Sequence, residues 1–265
     1  MLQRTDDLNA CQIQSMEGDL GKIHDVYFDD EEWAIRYLVV ATNNWFIKRE
    51  ALISPISLIK PDWLNKTLKV NLTQEQIDDC PDISVHEPVS RQQEYRYFGY
   101  YGYPIYWGGV GLWGQGFYPD GLMTVDEDIS DKPNALAAKA YAETQNEDPH
   151  LRSWKEVKGY VVNGSDGEIG HIHDLLIDEK TYAVRYVVVR TNHWWTGHDI
   201  LLPPQWFTDI KWKDSSAFVN HTRDEIKGAP NFEALATMDR DWEVTMHKHY
   251  KRKGYWTDEA ESLSA

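Results

Sequence analysis

The chain has 265 residues, more than one compact core usually takes and enough for two domains of roughly 100 residues each. Its 43 Asp and Glu outnumber 27 Lys and Arg, and the formal charge of −16 repels a phosphate backbone over most of the surface, which excludes nucleic acid as an expected partner. The 12 Trp and 15 Tyr supply material for tight cores and for aromatic contact faces.

In chain order, the opening MLQRTDDLNACQIQ has no apolar stretch of the signal-peptide kind, and no apolar run approaches the roughly 18 residues a membrane span needs. A cytoplasmic chain without a transmembrane segment is therefore expected. Cys11 and Cys80 are too few for a disulfide framework, lie outside any Cys-x-x-Cys motif, and are read as free thiols. From Gly18 to Trp45 the chain reads GDLGKIHDVYFDDEEWAIRYLVVATNNW. KIHDVYF and AIRYLVV, then EALISP, are predicted strands, separated by the turn-forming DDEE and TNNW. Connections this short make neighbours antiparallel, and a small closed sheet of five or six strands is expected, since closure removes exposed edges. LTQEQIDDCP follows as a helix, with Thr73 as N-cap, Gln76 completing a capping box and Pro81 as its stop. RQQEYRYFGYYGYPIYW (91–107) is a charged and aromatic extension expected to dock on the barrel. Eight of the 17 glycines fall from Gly99 to Gly121, so 108–150 is read as a linker, with one helix-forming stretch, ALAAKAYAE (135–143), inside it.

The second half repeats the first. GEIGHIHDLLIDEKTYAVRYVVVRTNHW runs from Gly167 to Trp194, and an offset of 149 residues aligns 18–107 with 167–256 without a gap, 27 of 90 pairs being identical. Gly21/Gly170, Asp29/Asp178, Arg36/Arg185, Tyr37/Tyr186 and Trp45/Trp194 match early, and Glu94/Glu243, Tyr101/Tyr250 and Trp107/Trp256 carry the likeness to the end. Thr222, Glu225 and Pro230 repeat the capped helix. The expected fold is mainly β, two small antiparallel barrels from an internal duplication, each with a short C-terminal helix. Barrel 1 is placed at 1–82 with its extension at 83–107, the linker at 108–150, barrel 2 at 151–231, and its extension and tail at 232–265. Duplication of a self-associating domain also implies intramolecular pairing of the two barrels.

The Gly-x-x-Gly start, the His-Asp before an apolar strand that ends in Asp, the A-x-R-Y-x-V-V strand and the L-x-x-P strand together resemble the PRC-barrel family, over about 18–82 and 167–231. That family includes the cytoplasmic barrel of the photosynthetic reaction centre H subunit and the C-terminal barrel of a bacterial ribosome maturation factor. The resemblance implies an all-β barrel that acts through protein contacts, peripheral to a membrane or photosynthetic electron-transfer complex. The chain departs from both relatives: the membrane helix of the one and the RNA-facing domain of the other have no counterpart here.

Several residues invite a chemical reading. His24-Asp25 and His173-Asp174 are tempting as oriented imidazoles, but neighbours on a strand point to opposite faces, so the aspartates are expected to bind backbone amides instead. His171 and His173 face one way and are read as part of a solvated polar face, the alternative being that with His193 and His198 they hold zinc or nickel. Arg36 and Arg185 either contact a partner or point outward to pair with Asp29 and Asp178. Trp45, Trp194 and Trp195 sit on hairpin loops, as partner anchors or as barrel caps. Enzyme signatures such as Gly-x-Ser-x-Gly and His-Glu-x-x-His are missing, and no catalytic residue or cofactor is assigned. The leading reading is a non-enzymatic scaffold with an unidentified protein partner, because tethered binding domains raise effective concentration. A metal- or small-ligand-binding stress protein is the alternative.

Overall fold

A computed structural model describes residues 1–42, 50–81, 89–107, 109, 111–114, 116–120, 149–192, 195, 197–230, 232 and 238–257. They fall into two compact units, the first built from 3–156 with 177–183 and the second from 157–176 with 184–265. The predicted helix at 135–143 lies outside the described residues.

In chain order the elements are β1 (Leu2–Arg4), α1 (Thr5–Leu8), β2 (Gln12–Gln14), β3 (Asp19–Asp29), β4 (Ile35–Thr42), β5 (Glu50–Ile53), β6 (Leu58–Asp62), β7 (Thr67–Val70), α2 (Gln74–Asp78), β8 (Val89–Ser90) and α3 (Arg91–Tyr101). After these come β9 (Pro149–Ser153), α4 (Trp154–Val157), β10 (Val161–Gly164), β11 (Gly167–Asp178), β12 (Val184–Thr191), β13 (Asp199–Leu202), β14 (Phe207–Lys211), β15 (Ser216–Val219), α5 (Arg223–Lys227) and α6 (Arg240–His249).

The first unit runs β5-β4-β3-β2-β7-β6 across its sheet, and the second repeats the order as β13-β12-β11-β10-β15-β14. The fold class read from the alternation is therefore the one the structure has. Closure is not: β5 and β6 end the first path and β13 and β14 the second, so among the described residues the sheets are open. The short connections give antiparallel neighbours, whereas β2 with β7 and β10 with β15 are parallel, joined only through the rest of the sheet. Gly21 and Gly170 match because a Cβ at either would collide with the carbonyl oxygen of Ala41 or Arg190 on the next strand.

Both predicted helices form with their capping boxes: Gln76 N–H donates to Thr73 Oγ1 at 3.1 Å and Glu225 N–H to Thr222 Oγ1 at 3.2 Å, and each N3 side chain answers the cap amide. The charged-aromatic endings become α3 and α6. The Gly-rich segment departs from the linker reading. Trp113 is 0 % exposed and donates its indole N–H to the Thr181 carbonyl at 2.8 Å, so part of that segment is core of the first unit. Glycine is what permits this: Gly111 crosses so close to Gly116 that a Cβ would strike its carbonyl. β9, which follows the Gly-rich stretch, also lies in the first unit, antiparallel to β3 (Phe28↔Arg152) and to β8 (Val89↔Leu151).

Candidate functional site

The matched residues of the repeat converge inside each unit. In the first, Arg36 is 1 % exposed, which corrects the expectation that it points outward. Its Nη1 donates to the Leu112 carbonyl at 2.7 Å, its Nη2 lies 3.4 Å from Asp29 Oδ2, and its guanidinium stacks 3.8 Å from the Tyr106 ring and 4.7 Å from the Trp113 ring. The partner offered by the sequence, Asp29, is correct; the inward direction follows because Tyr106, Leu112 and Trp113 cover Arg36 here. Arg91, at the start of α3, reaches Glu31 at 3.3 Å and Asp29 at 3.8 Å, with its guanidinium over Trp107 at 4.7 Å.

Glu94 lies one helical turn on and is fully buried. It accepts from Tyr37 Oη and Tyr106 Oη, both at 2.9 Å, and His150 Nε2 on β9 lies 2.8 Å away. Burial, reinforced by the Glu94 charge, holds Tyr37 and Tyr106 well above the usual phenol range, so both remain neutral donors. Every carboxylate oxygen of Glu94 is thus taken up by a neighbour.

The second unit builds the same arrangement. Tyr186 Oη donates to Glu243 Oε1 at 2.7 Å, Tyr255 Oη donates at 3.1 Å, and Arg240 Nη1 lies 2.9 Å from Glu243 Oε2. Arg185 is half-buried, 4.1 Å over the Tyr255 ring, and Arg240 is 4.3 Å over Trp256. The offset that pairs Arg36/Arg185, Tyr37/Tyr186 and Glu94/Glu243 also pairs Arg91/Arg240 and Tyr106/Tyr255. That shared Arg-x-x-Glu, identical across a diverged helix, is the signal that could have found the cluster.

The remaining candidates do not meet. Asp25 binds backbone amides as expected, those of Val26 at 2.9 Å and Lys155 at 3.2 Å, and Asp174 binds that of Leu175 at 2.8 Å. His24 Nε2 lies 2.8 Å from Glu50. His171 Nδ1 is 3.2 Å from Asn192 Oδ1, the buried His173 Nδ1 has no hydrogen-bond partner among the described residues, and His198 stacks 4.2 Å from Trp195. No group of three or more His, Cys, Asp and Glu among the described residues is placed to hold a metal. Trp45, Trp194 and His193 lie outside the described residues; Trp195 is half-buried.

Trp195 borders a small cleft, with about 10 Å3 of room for water, that no reading of the sequence located. Leu201, Ala229, Trp242, Met246 and Tyr250 line it. Asp199 at its rim is engaged by Arg190, with two contacts of 2.9 Å. Most of its lining side chains are aromatic or aliphatic, with Asp199 among them, and it offers no free acid–base pair. Both thiols are buried, and burial pushes Cys11 up to about 11, which leaves it unreactive.

Comparison with known families places a PRC-barrel domain at residues 153–226. This stretch runs from the end of β9 through α5 and includes the sheet of the second unit. No curated protein matches the chain in sequence. No helix among the described residues is long and apolar enough to cross a membrane.

Proposed function

We propose that the chain is a tandem PRC-barrel protein, its first unit a second copy of the matched domain, and that it acts as a non-catalytic protein-binding module. The carrying observation is the contrast between the two kinds of site. The ionisable groups of Glu94 and Glu243 are engaged internally by arginine and tyrosine, whereas the described cleft beside Trp195 presents aromatic and aliphatic groups. Such groups bind by burial rather than by bond chemistry. Trp195 is the principal anchor, and Trp45 and Trp194 are assigned to the same role from their place in the repeated Thr-Asn-x-Trp loops. The PRC-barrel resemblance supports a partner on the periphery of a membrane complex.

The test is cross-linked capture from the native host with the full chain and with Trp195→Ala. A lost aromatic anchor costs about 2 kcal/mol or more, so capture should fall roughly thirtyfold while thermal unfolding stays nearly constant. A melting temperature lowered by several degrees with capture intact would return Trp195 to a packing role.

A further inference from the structure

The two units differ beside the edge strand that ends each sheet path, and the first shows what fills that place. On the edge strand β5, Leu52 pairs with Val39, and its carbonyl accepts the hydroxyl of Tyr97 at 2.6 Å. Tyr97 is fully buried, its ring 4.7 Å from Tyr101 and 5.0 Å from Tyr37. An offset of 149 turns Leu52 into Leu201, Cys80 into Ala229, Tyr97 into Met246 and Tyr101 into Tyr250, all four of which line the cleft of the second unit.

Leu201 pairs with Val188 on the edge strand β13. Because Thr191 N–H donates to His198 O at 2.9 Å, hydrogen-bonded pairs alternate along this ladder as 191/198, 189/200 and 187/202. The Leu201 carbonyl therefore points away from β12, as the Leu52 carbonyl points away from β4. The thioether of Met246 has no proton to give it. The exchange of Tyr for Met and of Cys for Ala removes a hydroxyl donor and volume at the same spot, and Gln93 of the first repeat is replaced by a new aromatic wall, Trp242.

We propose that the cleft receives a tyrosine side chain of a protein partner, its ring held among Trp195, Trp242 and Tyr250 and its hydroxyl donated to the Leu201 carbonyl. The unbranched Met246 side chain yields space for the ring by changing rotamer. With Met246 in its present rotamer the cleft has room for about one water molecule, about 10 Å3, so the ring enters only as Met246 moves aside. The proposal rests on the protein-binding reading above.

Its test uses the full chain with methyl-labelled methionine and two probes, N-acetyl-tyrosinamide and N-acetyl-phenylalaninamide. Saturable shifts at the Met246 methyl with the tyrosine probe, about fivefold weaker with the phenylalanine probe, are expected. Met246→Tyr supplies the ring from within and should abolish binding without lowering the melting temperature; should it fail to fold, Ala229→Leu blocks the cleft from its other wall. No shift at Met246 up to the solubility of the tyrosine probe, or equal binding of both probes, overturns the proposal. Capture of the native partner separates it from the module reading. Capture lost in Trp195→Ala but kept in Met246→Tyr overturns the tyrosine seat alone, and capture kept in both overturns the two together.

Discussion

Arg36 and Arg185 are the same residue in two copies of one strand, yet their energetics differ. Arg36 is buried between two rings with Asp29 as its ion partner, so Arg36→Ala leaves the buried Asp29 with only the longer Arg91 contact and empties the space between the rings, and should cost about 3 kcal/mol in denaturant unfolding. Arg185 is half-buried, and Arg185→Ala should cost about 1 kcal/mol or less; equal losses at both would contradict this division. A second difference concerns histidine. His221 and His247 stand where the first repeat has Leu72 and Phe98, and burial lowers both below the usual 6.5. The unfolded chain then takes up protons that the folded chain does not, so the stability of the second unit is full above about pH 6.5 and declines as pH falls from there. Unfolding at pH 5 and 7.5 should show this slope in the native chain and a shallower one in the His221→Leu/His247→Phe variant. Identical slopes would mean that these imidazoles do not control it.

At the level of elements, α2 and α5 have five residues each, too short to persist alone, so their caps matter more than their propensity. Thr222→Ala removes the acceptor for the Glu225 amide and should cost about 1 kcal/mol, read as a drop of about 2–4 °C in melting temperature. Thr222→Ser should retain most of it. The longer helices α3 and α6 work differently: each docks through one interior glutamate that gathers one tyrosine of the sheet and one from beyond the helix. Glu94 also meets His150 on β9, so α3 ties a strand from beyond the Gly-rich segment to the sheet of the first unit.

That tie makes a prediction for the whole molecule. A protease site inserted at 130–135 cuts the chain between α3 and β9, yet β9 remains paired with β3 and β8, with Arg152 held 2.8 Å from Asp30 and His150 2.8 Å from Glu94. The two pieces should co-elute in gel filtration; separation would show that β9 does not hold them. The alternation of KIHDVYF and AIRYLVV, the Thr-x-x-Gln/Glu caps and the gapless repeat were sufficient to determine strands, capped helices and a twofold mainly β plan, because period, turn chemistry and capping act within a few residues. They did not reveal that Arg36 turns inward, that Trp113 in a glycine-rich stretch is core, that the sheets stay open among the described residues, or that the place Tyr97 fills in one unit is taken by Met246 beside a small cleft in the other. Those outcomes depend on which distant segments come to lie over a given strand face, and burial, ion pairing and ring stacking between them are decided only when the chain has packed.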